Sequence, residues 1–359
     1  MQFKNKLLRS KKIYIFFFSY FLFIIFFSTT FLHANTFKVS DVKISEPFVV
    51  NFNKSKAIDN GFKSAFFNLI SMITTSNDRD KIKNTSLKDL KGMIDSFTIS
   101  NERFIDNEYF AKLEVTFNKK NTLLFLERKN IFPSIPIKNK VLLVPILVDL
   151  EFDNIYLFTE NIFYQHWNDK IKNYHLLDYL LPSEDLEDLT IIQKNYDSIE
   201  DYDFKDFIKK YALKDYIITI IFKNKKELKV LSKINLNNSF KVDNQTFTKI
   251  DLNNKKNFEI ILDKLKTIYE DNWKKNNQIN TSIKLPLTIL INSQEYNKIQ
   301  TLEKTLNNLD LISNFYILKF DNKNIFYRII YNGSPKTFLN DMKKSDLNLV
   351  VENNIWIIK

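Results

Sequence analysis

The 359-residue sequence contains no cysteine, and this absence removes several chemistries at once. Disulfide bonds, thiolate nucleophiles and cysteine-ligated zinc all require the thiol group. Lipid attachment to an N-terminal cysteine after signal cleavage is excluded for the same reason. The absence does not assign a compartment, because many exported proteins also lack cysteine.

Glycine is nearly as scarce, with three residues, and proline occurs seven times. The glycine-rich phosphate-binding patterns of dinucleotide-binding and P-loop proteins do not occur. The Gly-x-Ser-x-Gly turn that presents the nucleophile of many serine hydrolases is absent too. The sequence therefore contains no recognisable nucleotide-binding loop of these kinds and no serine-hydrolase motif.

Histidine is also rare, since only His166 and His175 lie beyond the N-terminal segment. A histidine-type metal site would need both imidazoles and a carboxylate, and their separation fits no single helical face. We therefore expect no bound metal and no cofactor.

Lysine, asparagine, isoleucine and phenylalanine dominate the composition, with 34 Phe and a formal net charge of +11. Part of that charge lies at the N-terminus, in Lys4, Lys6, Arg9, Lys11 and Lys12. The rest is spread along the chain and is not interleaved with aromatic residues in a basic patch. Lysine also greatly outnumbers arginine, the better bidentate reader of phosphate and guanine. We therefore expect no nucleic-acid partner.

The N-terminus reads as an export signal. A basic start is followed by the apolar block Ile13–Phe27, and the small residue Ala34 precedes polar sequence. This pattern predicts a signal peptide over residues 1–34, leaving no transmembrane segment after cleavage. The alternative is an uncleaved anchor, because Ile13–Leu32 provides about 20 residues, enough to span a bilayer. Both interpretations place the chain from residue 35 onward in the periplasm, anchored to the inner membrane if uncleaved.

The first predicted domain covers residues 35–130 and is a small α+β unit. Asn53 or Ser55 can cap a helix with a broad apolar stripe. The predicted strands are Phe37–Ile44, Phe97–Phe104 and Tyr109–Phe117, with a short helix at Ser86–Asp95 and a final helix ending near Asn130. Two prolines in Ile131–Pro136 favour an extended connector to the next domain.

The second predicted domain, residues 137–277, is organised around Lys140–Asp149. This stretch is apolar without alternation, which is typical of a parallel strand covered on both faces. Strands and helices then alternate: a helix over Asn161–Asn173, a strand at Leu176–Leu181, helices at Ser183–Ile192 and Phe204–Tyr211, and a strand at Tyr216–Phe222. A hairpin (Glu227–Leu236 and Phe240–Leu252) and a docking helix (Lys255–Asn276) complete it. The order predicts a Rossmann-like parallel α/β domain.

The third predicted domain, residues 281–359, has the order β-α-β-β-α-β, which favours a ferredoxin-like fold. Its predicted elements are Ser282–Ile291, Ser293–Leu309, Phe315–Phe320, Ile325–Tyr331, a helix capped by Ser334, and one or two strands in Leu347–Lys359. The chain is thus predicted to be an α/β and α+β multi-domain protein.

Several segments together resemble the proteobacterial envelope proteins grouped as domain-of-unknown-function family 2066. They are Ile99–Glu102, Tyr109–Phe117, Val141–Pro145, the Trp167 helix, Leu181–Asp188, Lys210–Thr219 and Tyr331–Ser334. One departure is Glu184, where the family pattern tends to have glycine. The resemblance implies export and a multi-domain α/β body, and it implies no particular activity.

Four residues are candidate ligand-binding residues: Asp149, Trp167, Asp185 and Asp188. The two later aspartates follow the carboxyl end of a predicted parallel strand, where ligands bind in open α/β sheets. The alternative is structural, because Asp185 can cap the next helix while Asp188 complements its dipole. No residue is predicted to be catalytic.

The leading functional hypothesis is a non-enzymatic interaction or assembly module with an envelope protein partner. The alternative is a small-ligand-binding protein or hydrolase that uses the cleft at the carboxyl ends of the central strands. An exposed apolar patch would favour the first, and a pocket with converging carboxylates the second.

Overall fold

A computed structural model describes residues 37–280, 283–309 and 311–358. The predicted signal segment lies outside the described residues. The described residues belong to one compact unit, and they form three β-sheets. The fold is therefore mixed α/β, as predicted.

The first sheet is antiparallel, in the order β1-β3-β2. Its elements are β1 (Lys38–Pro47), α1 (Lys54–Ile73), α2 (Ser76–Arg79), α3 (Leu87–Lys91), β2 (Ile94–Ile105), β3 (Glu108–Phe117) and α4 (Lys119–Arg128). The Asn53 side chain accepts a hydrogen bond from the Lys56 amide and so begins α1. β3 buries every second residue, as its alternating sequence predicts.

Gly61 lies on the face of α1 that packs on this sheet. A Cβ atom added there would lie 2.8 Å from Cδ1 of Ile44 and 3.0 Å from Cδ2 of Leu113. Glycine therefore lets the helix pack directly on β1 and β3.

The second sheet has the order β5-β4-β7-β8-β9, and β6 pairs with β4. Its strands are β4 (Asn139–Asp149), β5 (Asn154–Tyr156), β6 (Leu177–Leu180), β7 (Tyr216–Asn224), β8 (Glu227–Leu236) and β9 (Ser239–Thr248). Its helices are α5 (Ile162–His166), α6 (Leu186–Lys194), α7 (Lys205–Lys209) and α8 (Lys255–Asn276). β4 is parallel to β6 and β7, as predicted, whereas β5, β8 and β9 run antiparallel to their neighbours. The sheet is therefore mixed rather than wholly parallel.

Burial on both faces explains the unbroken apolar sequence of β4. Val141, Leu143 and Leu147 pack in the core beneath α8. The alternate residues face a second core formed with α6 and α7: Leu142, Val144, Ile146 and Val148. The prediction of a doubly covered strand is confirmed.

Several predicted helices are shorter than expected, and α5 and α6 show the physical reasons. α5 ends at His166, because the following backbone is held by tertiary hydrogen bonds: Lys266 donates to the Lys170 carbonyl, and the Leu176 amide donates to Glu270. α6 begins at Leu186 rather than near Ser183, because the Asp185 side chain caps it.

The third sheet has the order β11-β12-β10-β14-β13. Its elements are β10 (Leu285–Asn292), α9 (Tyr296–Asn308), β11 (Ile312–Phe320), β12 (Asn324–Tyr331), α10 (Pro335–Lys343), β13 (Leu349–Glu352) and β14 (Ile355–Ile358). The closing segment is a hairpin, and Asn353 and Asn354 take the left-handed φ values of 51° and 63° that its turn requires. Consequently β14, which is parallel to β10, occupies the position next to it.

α8 contacts three points of the chain that precede the second sheet. The Lys274 ammonium donates to the carbonyl of Ser71 at 2.5 Å, near the end of α1. The Asp271 carboxylate accepts from both the amide and the hydroxyl of Ser76. The Trp273 indole donates to the Ile137 carbonyl at 2.8 Å, in the connector before β4. None of the helices in the described part of the chain is both long and apolar enough to cross a membrane.

Candidate functional site

Asp149 lies at the carboxyl end of β4 and is buried in an ion pair. Its carboxylate is 2.7 Å from the Lys223 ammonium on β7 and accepts a hydrogen bond from the Glu151 amide. Burial opposes ionisation of this carboxyl, but the Lys223 ammonium and the Glu151 amide hold its pKa below the ordinary value. These contacts join the ends of two parallel strands to the turn that follows.

Asp185 and Asp188 share the ammonium of Lys210. It lies 3.2 Å from Asp185 and 2.6 Å from Asp188. Asp185 also accepts from the amides of Glu187 and Asp188, as a helix cap does. The Asp188 amide, Lys210 and the Glu187 amide together lower the pKa of Asp185. The hydrogen bond to Asp188 raises the pKa of Lys210 above its ordinary value.

The structure does not gather the three aspartates into one site. β6 ends at Leu180, which pairs with Leu142 near the start of β4, whereas Asp149 ends that strand. β6 is short, and β5 pairs with the last residues on the same edge of β4. The carboxyl ends of β4 and β6 therefore lie at different heights along the sheet. Asp149 uses Lys223 as its cation, and the other two use Lys210. These contacts favour structural roles for all three.

Trp167 is fully buried just beyond α5. Its ring stacks on Tyr269 at a centroid distance of 6.0 Å and meets Tyr179 edge-on at 5.6 Å. The ammonium of Lys266 lies 5.9 Å from the ring. Trp167 is therefore a core residue, and its ring is not exposed at the surface to a ligand.

Three charged residues on one face of α8 are buried, and the sequence did not single them out. Lys266, Glu270 and Lys274 are each 3% exposed. Burial lowers the pKa of both lysines and raises the pKa of Glu270. Lysine and glutamate four residues apart are ordinary on exposed helices, so the spacing carried no signal of burial.

Each buried charge of α8 holds a different backbone segment. Lys266 donates to the Lys170 carbonyl at 3.0 Å. Glu270 accepts from the amides of Leu176 and Leu177, both at 2.9 Å, at the start of β6. Lys274 donates to the carbonyl of Ser71. The face therefore positions the loop between α5 and β6 and the end of α1.

A cleft lies between α5 and the first half of α8, and we call it the α5–α8 cleft. Its volume is about 640 Å³, within the usual range for small-molecule sites. Apolar residues contribute much of the lining: Ile162, Leu252, Phe258 and Leu262. Polar and ionisable residues supply the remainder: His166, Asp169, Lys170, Asn253, Lys255, Glu259, Asp263 and Lys266. Because Lys266 also lines a smaller cavity with His175 and Tyr179, it stands between the two.

The surroundings of His175 are strongly cationic. Burial lowers its pKa to about 4, and the charges of Lys266, Lys172 and Lys274 act in the same direction. Protonation of His175 is thus disfavoured in the folded chain.

We expect His175 to make the stability of the fold depend on pH. Its folded pKa of about 4 lies below its ordinary value of 6.5, so its contribution is present above pH 6.5 and is lost as the pH falls toward 4. Urea unfolding of the wild type and of His175→Gln at several pH values should show a weaker loss of stability in the variant. His166→Gln is the control, since His166 is exposed. Equal pH slopes for wild type and His175→Gln would contradict the prediction.

The first sheet carries an exposed apolar cluster at one end, which we call the apolar tip. It comprises Phe48, Val49, Val50, Phe104 and Ile105. The Phe48 amide donates to the Asn107 carbonyl at 2.7 Å, which holds the loop after β1 against the β2–β3 hairpin. The rings of Phe48 and Phe104 lie 4.8 Å apart. Side chains from two segments therefore form one surface.

Within the described residues, no three His, Asp or Glu side chains form a group that could hold a metal ion. Comparison of the chain with models of protein families gives no match, and comparison with curated proteins finds no relative.

Proposed function

We propose that this chain is an exported protein of the cell envelope that binds a protein partner through the apolar tip. Export is supported by the basic and apolar character of residues 1–34. The resemblance to the envelope proteins of family 2066 supports the same location, the periplasm. The tip is the observation that carries the binding function.

The apolar tip differs from ordinary exposed apolar residues because its members are adjacent. Val49 is 61% exposed and Val50 is fully exposed, while the neighbouring Phe48 and Phe104 each expose about half of the side chain. Single exposed apolar residues are normal on soluble proteins, whereas contiguous patches mark interaction sites. Aromatic residues are also enriched at the centres of protein interfaces.

Aromatic packing and hydrogen bonds hold the base of the apolar tip in one conformation. Phe52 packs against Phe48 and Tyr109, with centroid distances of 5.1 Å to each ring. The Glu102 carboxylate accepts from the Tyr109 hydroxyl and pairs with Lys54 at 2.7 Å. A preorganised surface loses less conformational freedom on binding, which favours a docking role.

Site-specific photocrosslinking from the tip tests the proposal. A photoreactive residue at Val50 should give a discrete crosslinked envelope protein, while one at Leu186 should not. Leu186 is the matched control, since it is the first residue of α6, is 81% exposed and lies outside the tip.

Substitution of the tip then separates specific binding from chance proximity. Val49→Ser with Ile105→Ser should abolish the Val50 crosslink without lowering protein abundance, because both side chains are about half exposed or more. Leu186→Ser should leave the crosslink intact. Equal crosslinking from Val50 and Leu186, or a crosslink that survives the double substitution, would refute the role of the tip.

We further propose three domains, at residues 35–130, 137–277 and 281–359. The hydrophobic cores support this division, because the clusters of buried residues fall within Phe37–Ile131, Val141–Trp273 and Leu287–Ile358. The parallel set β6-β4-β7 supports a Rossmann-like second domain. The order β11-β12-β10-β14 supports a ferredoxin-like third domain in which a hairpin replaces the last strand. The strand directions depart from that fold in one place, because β14 is parallel to β10 where the ferredoxin-like last strand is antiparallel.

A further inference from the structure

Each acid that lines the α5–α8 cleft already has a basic side chain as its partner. Asp169 lies 2.7 Å from Nδ1 of His166, and two ion pairs engage the other acids: Lys170 with Glu259 at 2.7 Å and Lys172 with Asp263 at 2.9 Å. Two lining lysines remain outside these pairs, Lys255 and Lys266. Lys255 is exposed, whereas Lys266 is buried. The cleft thus contains one buried cation whose charge its own acids do not pair.

Lys266 is incompletely satisfied. Its ammonium has three donor hydrogens, and it makes one hydrogen bond, to the carbonyl of Lys170, while the Trp167 ring lies 5.9 Å away. No carboxylate of a described residue lies within ion-pair distance of it. Buried charges in proteins are normally paired or hydrogen-bonded, because desolvation of an unpaired charge is costly. An anion in the cleft would supply the missing acceptor.

The apolar part of the lining indicates which chemical group is attached to that anion. Phe258 and Leu262 lie on the same helix as Lys266, and Ile162 and Leu252 lie across from them. A small inorganic anion would leave this apolar surface in water. An aliphatic chain attached to the anion would cover it, and each buried methylene strengthens binding about fourfold.

We propose that the α5–α8 cleft binds a small amphipathic anion, an aliphatic carboxylate, with the carboxylate on the Lys266 ammonium and the chain on the apolar lining. Carboxylate oxygens accept charge-assisted hydrogen bonds from ammonium groups at about 2.8 Å. This site is separate from the apolar tip, and it requires no partner protein.

Titration of decanoate into the chain from Asn35 onward, which contains the compact unit, tests the proposal. Calorimetry and tryptophan fluorescence, with Trp167 beside Lys266, should show saturable binding at one site. Octanoate should bind more weakly, and decanol and decyltrimethylammonium at least about tenfold more weakly, because they lack the anion. Equal binding of the three ten-carbon probes, or no saturable binding of decanoate below its micellar concentration, would overturn it.

Variants locate the site. Lys266→Met keeps the aliphatic stem and removes the charge, so decanoate binding should weaken about tenfold or more while decanol binding stays unchanged. Lys255→Met, at the exposed rim, is the matched control and should have little effect. Unchanged decanoate affinity in Lys266→Met would refute the role of Lys266. The comparison of probes on the wild-type chain decides the question even if this variant fails to fold.

Discussion

Replacement of Glu270 by alanine is expected to lower the free energy of unfolding by about 3 kcal/mol. The buried carboxylate accepts from the amides of Leu176 and Leu177, and its removal leaves both donors without an acceptor. It also removes a negative charge that lies four residues from each of two buried lysines, Lys266 and Lys274. Urea unfolding of the chain from Asn35 onward, followed by circular dichroism, measures the loss.

Two further variants distinguish this explanation from a general effect of altering α8. Glu270→Gln retains an oxygen acceptor and should recover part of the loss. Glu259→Ala removes a partly exposed acid from the same helix, and its ion pair with Lys170 should contribute less than about 1 kcal/mol. If Glu259→Ala destabilised the chain as much as Glu270→Ala, the hydrogen bonds to β6 would not be the cause.

Replacement of Trp167 by alanine should be at least as damaging. The side chain is fully buried and packs on Tyr179 and Tyr269. Truncation of a buried tryptophan costs about 3–5 kcal/mol through lost apolar contact and the cavity that remains. The same urea unfolding assay, run on the same chain, measures it.

The conservative variant Trp167→Phe should cost less, because phenylalanine refills much of the volume. In the wild type the indole nitrogen of Trp167 is buried without a hydrogen-bond partner among the described residues, so loss of the N–H itself should cost little. A stability change below about 1 kcal/mol in Trp167→Ala would contradict a core role. It would return Trp167 to the set of candidate ligand-binding residues.

Local sequence patterns predicted most elements of the fold because their signals act over few residues. The apolar run of β4 predicted a doubly covered strand, and α8 begins and ends at Lys255 and Asn276, the bounds that its periodicity predicts. Of the two interpretations of Asp185, the helix cap agrees with the structure, because its side chain accepts from two amides of that helix. In each case the physical cause, burial of one face or satisfaction of free amides, lies within a few residues.

The sequence predictions are wrong where residues distant in the chain determine the local conformation. The loop after His166 looked helical, but Lys266 and Glu270 bind its backbone from another element. β6 ends beside Leu142, near the start of β4, whereas β4 continues to Asp149. β6 is short, and β5 pairs with the last residues of β4 in its place. Neither effect leaves a trace in the local pattern.

The sequence by itself determined the classes of chemistry that the chain lacks and most of the mixed α/β elements and their order, and it predicts an export signal. Only the tertiary structure decided which charged residues are buried and which apolar residues are exposed. Lys266 and Lys255 are indistinguishable in a helical sequence, and so are a core phenylalanine and Phe48 of the apolar tip. The reason is that burial depends on what packs against a residue, and those neighbours come from remote parts of the chain.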